Sequence, residues 1–169
     1  MSTRGYIGIK KKGQLKGMYN HWDSYPSGLG KDLVEIINKI KVEDRIKVLN
    51  DTFDYIELVD ENSKPTNEQI GVCVKANTVD LSVANRSYED WYCLLRKMQG
   101  DLQAYIDKVV PYMLNGNDFI NDSLFCEWAY IINLDTNKFE VYTSGTHFES
   151  EFDLLDLNED DIIDLEHYE

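Results

Sequence analysis

The feature that most restricts how this chain can fold is the run FCEWAYIINL at 125–134. It is almost continuously apolar and rich in β-branched and aromatic residues, the pattern of a strand covered on both faces. Trp128, Tyr130 and Ile132 alternate with Ala129 and Ile131, so each face would carry apolar groups. Such a strand belongs in the middle of a sheet and needs helices over at least one side. Asp135-Thr136-Asn137-Lys138 reads as its turn, with Phe139, Val141 and Tyr142 on the return strand.

The remaining segments supply partners for that strand. RGYIGIKKKGQLKGMYN (4–20) has the form of a β-hairpin, with Tyr6, Ile7 and Ile9 as strand formers and KKKG at the turn. NHWDSYPSGLG (20–30) follows as a loop rich in large rings. Leu33, Ile36, Ile37 and Ile40 recur at helical spacing, with Asp32 in the first turn, and Ile46 and Leu49 mark a second helix around 43–50. Residues 60–68 read as a polar connection containing Pro65. Ser87-x-x-Asp90 has the shape of a capping box before Trp91, Leu94, Leu95 and Met98, in a helix that Gly100 should end. Leu102, Tyr105, Ile106, Val109, Val110 and Met113 continue a helical stripe that Pro111 kinks or terminates, and Asn115-Gly116 is a stop. The helices carrying Leu94, Leu95, Ile106 and Val109 are expected to cover the central strand.

This order predicts an α+β fold, a mainly antiparallel sheet with packed helices in a single domain over 1–148, followed by an acidic C-terminal segment at 149–169. A hydrophobic content of 43% and a charged content of 28% are those of a folded domain. The net charge of −14 argues against direct nucleic-acid or anionic-membrane binding. That charge is unevenly spread. Lys138 is the last base, and the 31 residues from Phe139 to Glu169 hold eleven acids. They include Glu149, Glu151, Asp153, Asp156, Glu159, Asp160, Asp161 and Asp164. The N-terminal end is basic, with Arg4, Lys10, Lys11, Lys12 and Lys16. An acidic block of this kind is either a solvated tail or a surface that competes with phosphates for a basic partner.

Cys73, Cys93 and Cys126 lie far apart without a CxxC pair, which supports neither a zinc knuckle nor a disulfide framework. They read as buried, reduced thiols of a cytoplasmic protein. The N-terminus has no apolar leader-like stretch, and no run reaches the length of a membrane span.

The densest chemical cluster is NHWDSYP (20–26). His21 and Asp23 could form an acid–base pair, since two positions apart on a strand they would share a face, and Arg4 and Tyr25 would complete such a site. The same residue types also satisfy a loop's own backbone and anchor it on a core. SGLG matches no phosphate-binding pattern. Ser2 would become an N-terminal nucleophile if Met1 were removed. Asp156-Leu157-Asn158-Glu159-Asp160 begins like a calcium loop, but Asp161 and His167 stand where an EF-hand needs glycine and glutamate, leaving at most a loose divalent-ion site. His147 and His167 are isolated, and no cofactor or metal is expected.

TRGYIG (3–8) followed by YNHWDSYPSGLG (19–30) resembles a group of small uncharacterised proteins of bacteria and their phages. EDWYCLLRKMQGDL (89–102) and EWAYIINLDTNKFEVY (127–142) are similar to the middle and end of that group. The resemblance implies an accessory role in a phage or mobile-element setting, where small acidic proteins similar to anti-CRISPRs inhibit host defence. The leading expectation is therefore a non-enzymatic inhibitor of a basic host nucleic-acid-processing protein, such as a CRISPR effector nuclease. Its acidic face would take the target's phosphate-binding surface, with Trp22 and Tyr25 as hot spots. The alternatives are a small hydrolase or nucleotide-modifying enzyme centred on Arg4, His21 and Asp23, and an oligomeric structural domain.

Overall fold

The computed structural model describes residues 3–168, and the side chains up to Glu166. Ser2, the candidate N-terminal nucleophile, and the side chain of His167 lie outside the described residues. The fold is α+β, as the sequence predicts.

Strands β1 (Gly5–Lys11) and β2 (Gln14–Asn20) form the N-terminal hairpin. Its two-residue turn has positive φ at both Lys12 (52°) and Gly13 (73°), the handedness that matches strand twist. A π-helical turn at Pro26–Gly30 runs directly into α1 (Lys31–Asn38), and α2 (Val42–Tyr55) follows. A short strand β3 (Glu57–Val59) precedes α3 (Asn67–Ala76). Two brief helices, α4 (Trp91–Leu94) and α5 (Leu102–Ile106), lead to β4 (Tyr112–Leu114), which pairs parallel with β3. Strands β5 (Trp128–Asn133), β6 (Lys138–Thr143) and β7 (His147–Asp153) then complete the main sheet, and α6 (Glu159–Ile163) runs on into a 3-10 turn at Asp164–Tyr168.

The main sheet has the order β2-β1-β5-β6-β7, with β5 at its centre and every residue of that strand buried. All neighbours pair antiparallel except β1 and β5, which run parallel from Gly5↔Trp128 to Lys10↔Asn133. The two faces of β5 enter different cores. Trp128, Tyr130 and Ile132 join the main cluster with Leu33, Ile37, Leu49, Leu94, Leu95 and Tyr105 of the helical layer. Ala129 and Ile131 meet Tyr6, Ile120 and Cys126 beneath the segment 115–126. That segment is held by Asn117, which accepts from the Tyr6 hydroxyl (2.7 Å) and donates to the Leu15 carbonyl (2.8 Å).

Three sequence expectations are corrected. The Ser87-x-x-Asp90 box does not form: Ser87 Oγ accepts from its neighbour Glu89, and Asp90 itself caps the four-residue α4 through Tyr92 N–H (2.9 Å). The true capping box is Thr66–Gln69 at the start of α3, which opens within the stretch read as a connection. The stripe from Leu102 stops at Ile106, because Lys108 turns left-handed (φ +57°) and Val109 N–H closes back on the Ala104 carbonyl (3.0 Å), capping the helix ahead of Pro111. The chain then extends into β4, and Val109, expected in the core, is exposed.

The acidic segment is part of this fold. β7 is the edge strand beside β6, and Leu154, Leu157 and Ile162 are buried in the main core. Arg45, itself buried, donates to the carbonyls of Leu154 (2.9 Å) and Ile40 (2.9 Å), while Asn38 donates to that of Leu157 (3.1 Å).

Candidate functional site

The NHWDSYP loop is built around two small polar side chains. β2 ends at Asn20, whose amide donates to the Trp22 carbonyl (2.7 Å) and to Ser24 Oγ (2.8 Å). Ser24 is fully buried, its N–H bonds the Thr3 carbonyl, and its own carbonyl accepts from the Tyr130 hydroxyl (2.7 Å) on the central strand. The Asp23 carbonyl accepts from Leu29 N–H (2.8 Å), fixing the turn that starts the helical layer. Asn20 and Ser24 therefore satisfy the loop's own backbone and tie it to β5.

This geometry separates the residues of the expected acid–base site. Asp23 has φ +52°, so the chain has left the strand and Asp23 no longer shares a face with His21. Asp23 Oδ1 accepts from the Tyr25 hydroxyl (3.2 Å), a bond that raises the Tyr25 pKa. His21 Nδ1 meets the Tyr19 hydroxyl at 2.5 Å. Arg4 lies over the Phe125 ring at 5.3 Å, and its N–H donates to Glu127 (3.0 Å). Arg4, His21, Asp23 and Tyr25 thus take up three separate contacts instead of one pocket.

His21 and Trp22 instead line a cleft of about 230 Å³ with Tyr19, Tyr92, Arg96 and Gln99. Tyr19, Tyr92 and Gln99 also line an adjoining cleft of about 320 Å³, together with Glu61, Leu114, Asn115 and Phe119. The two form one groove at the β2 edge of the sheet. Its rings are mutually fixed: Tyr19 meets Phe119 edge-on at 4.8 Å, and His21 meets Trp22 edge-on at 4.5 Å. Burial raises the Tyr19 hydroxyl above the usual phenol range, so it stays protonated at neutral pH. The Tyr19 hydroxyl and His21 Nδ1 share this hydrogen bond, and its direction follows the His21 tautomer: where Tyr19 donates, Nε2 carries the ring proton. Gln99 is held by donating to the Tyr19 carbonyl (2.7 Å). Trp22 is 60% exposed at the rim.

The acids lie at the opposite edge. Glu149, Glu151 and Asp153 alternate along β7, Asp156 sits in the following turn, and Glu159, Asp160 and Asp161 form the first turn of α6 ahead of Asp164. All but the half-buried Glu159 are exposed. Burial and the neighbouring Glu35 raise the Glu159 pKa. Glu149 accepts from Thr143 Oγ1 (2.7 Å), and Asp153 accepts from Leu155 N–H (2.9 Å). Among the described residues, the only ion-pair contact of this set is His147 Nε2 at 3.7 Å from Glu149. These acids are exposed to solvent on an ordered edge of the fold. Four strand spacings, roughly 19 Å, separate β2 from β7, so Trp22 and the acids do not form one patch. Tyr25 packs against the main core.

Among the described residues no group of three or more His, Cys, Asp or Glu could hold a metal ion, and no helix is long and apolar enough to cross a membrane. The three cysteines are buried and unpaired, and burial pushes the Cys126 thiol up to about 12. Sequence reasoning missed Tyr92, Arg96 and Gln99 as groove residues. Their signal was present: they recur at i, i+4 and i+7, on the side away from Trp91, Leu94, Leu95 and Met98. Glu61, Asn115 and Phe119 come from distant loops and had no such signal. Comparison with protein-family models, with curated proteins and with solved structures gives no match.

Proposed function

We propose that this chain is a non-enzymatic accessory protein, of the bacterial or phage kind its motifs resemble, that inhibits a basic host nucleic-acid-processing protein by occupying its phosphate-binding surface. CRISPR effector nucleases are the target class that fits best. The observation that carries this reading is the ordered acidic edge. Seven exposed carboxylates from Glu149 to Asp164 stand on β7, the turn after it and α6, with no Lys or Arg paired to them among the described residues. Buried Leu154, Leu157 and Ile162, with the Arg45 clamp, hold the backbone that carries them. A fixed array of charge loses less entropy on docking than a flexible tail does, and it steers association with a basic surface. The enzymatic alternative lacks its His21–Asp23 pair, since each of these side chains bonds to a tyrosine instead.

The test uses a purified CRISPR effector nuclease, with the full chain and a variant in which Glu159, Asp160 and Asp161 are replaced by amides. The chain should bind the nuclease in competition with DNA, and the variant should associate more slowly and with a shallower salt dependence. No binding at low ionic strength, or binding indifferent to both DNA and the three substitutions, refutes the reading for this target class.

A further inference from the structure

The groove at the β2 edge has a charge order unlike the rest of this acidic chain. At one end stands Glu61, an exposed carboxylate; at the other are Arg96 and His21; between them lie the rings of Tyr19 and Tyr92 with the Gln99 amide. Among the described residues Arg96 forms no ion pair, and its guanidinium lies 5.9 Å from the Tyr92 ring centre, held over that ring. Trp22 stands 60% exposed at the same end, whereas Trp91 and Trp128 are 1% and 6% exposed. A large ring left in water beside a lone cation and an imidazole is an arrangement that a ligand would complete.

We infer that this groove binds a mononucleotide, a flat nitrogen heterocycle carried on a sugar phosphate. The base lies against Tyr19 and Tyr92, its donor edge reaches Glu61, and its phosphate takes Arg96 and the His21 imidazole. Each part answers a feature on the page. Aromatic side chains are stacking platforms for bases of any sequence. A carboxylate only accepts, so Glu61 selects a base edge with adjacent donors, as guanine has in N1–H and N2–H₂. Uracil offers one N–H flanked by two carbonyls, which repel it. The larger cleft, about 320 Å³, reaches the lower end of the range for small-molecule sites. A polynucleotide is disfavoured, because the groove offers cationic donors for one phosphate only and the net charge of −14 repels a longer anion. The site is independent of the acidic edge across the sheet.

The experiment titrates the full chain with GMP, AMP, CMP, UMP, guanosine and ribose 5-phosphate. Tryptophan fluorescence is one readout, because only Trp22 of the three indoles is accessible to quenching, and calorimetry is the second. GMP should saturate with Kd on the order of 10 μM, the affinity open to a ligand of about 24 non-hydrogen atoms. Guanosine, ribose 5-phosphate and UMP should each bind at least about tenfold more weakly. R96Q should bring GMP down to the level of guanosine while leaving guanosine unchanged, and E61Q should erase the preference for GMP over UMP. Glu61 is exposed, and the half-buried Arg96 makes no ion pair among the described residues, so each variant should stay close to the parent melting temperature. The proposal is overturned if no mononucleotide saturates below about 1 mM, if ribose 5-phosphate matches GMP, or if a single-stranded oligonucleotide of about twelve residues binds far more tightly than GMP.

Discussion

Replacing Arg45 by Met tests how the acidic edge is held. Arg45 is 4% exposed and forms no ion pair among the described residues; its guanidinium serves the carbonyls of Leu154 (2.9 Å) and Ile40 (2.9 Å), with a longer contact to Asn38 (3.5 Å). Methionine keeps the apolar stem and removes the fork, leaving the buried Leu154 carbonyl without its donor at about 1–3 kcal/mol and the half-buried Ile40 carbonyl without its donor at less. Relief from burying the charge returns part of that loss. The net expectation is a destabilisation of about 2–4 kcal/mol, and for a chain of this size roughly 5–15 °C in melting temperature. The loss should be local first. Amides from Leu154 to Ile163 should exchange faster in hydrogen-exchange measurements than those of β5, because Leu154 is one of the released acceptors. Arg45→Lys should fall between, since an ammonium keeps the charge but cannot fork across acceptors. A melting shift under about 2 °C, or exchange that accelerates equally in β5, would show that the C-terminal segment is held by its apolar residues alone.

Two further substitutions probe the frame around the sites. Trp128→Ala removes a ring that is 6% exposed in the main core, and should lower stability by about 3–5 kcal/mol at constant urea m-value; an unchanged midpoint would mean that β5 is not the centre of the core. Asp135 accepts from Lys12 N–H (2.7 Å) and Gly13 N–H (2.9 Å), and these amides, Gly13 first, hold its carboxyl below the ordinary 3.8. A depressed carboxylate pKa contributes stability that is present above its unfolded value and lost as the pH falls through the folded one. Asp135→Asn should therefore flatten the acid limb of the melting temperature plotted against pH, and a parallel limb in the variant would refute that linkage.

The parts of the fold that local pattern governs were legible. The β5 run, the N-terminal hairpin and α1 each follow from periodicity and turn chemistry, and each forms where those signals lie. The failures share a cause. α3 begins with a capping box in a polar stretch, and of its own residues only Cys73 is buried, so the apolar periodicity that reveals most helices was weak there. β4 exists because it pairs with β3 across 55 positions (Glu57↔Tyr112), a partner that local propensity does not name. The same holds for the sites. Proximity in sequence suggested His21 with Asp23, but one left-handed residue turned them apart, and the groove that His21 does join takes Glu61, Tyr92 and Phe119 from three other segments.

Local structure accounts for many of the C-terminal acids one at a time, which weakens any argument from their number. Charged residues on β7 guard an edge strand against pairing with another chain, and those in the first turn of α6 suit its dipole. Asp153 also caps its own turn through Leu155 N–H. None of these duties requires that bases be absent, yet no Lys or Arg follows Lys138. That absence is what a surface selected for a basic partner needs and what a merely soluble edge does not. Adding bases while keeping every acid therefore separates the two. Leu155, 41% exposed, and Thr146 in the β6–β7 turn are exposed positions whose side chains make no hydrogen bond among the described residues. Changing both to Lys places positive charge among the carboxylates, within about one Debye length of 10 Å at 0.1 M salt. Stability should hold or rise slightly as repulsion is relieved, while association with a basic target slows and its salt dependence flattens. If the doubly substituted chain binds as fast as the parent, the edge's charge serves its own solubility, and the docking reading fails even though every acid is still in place.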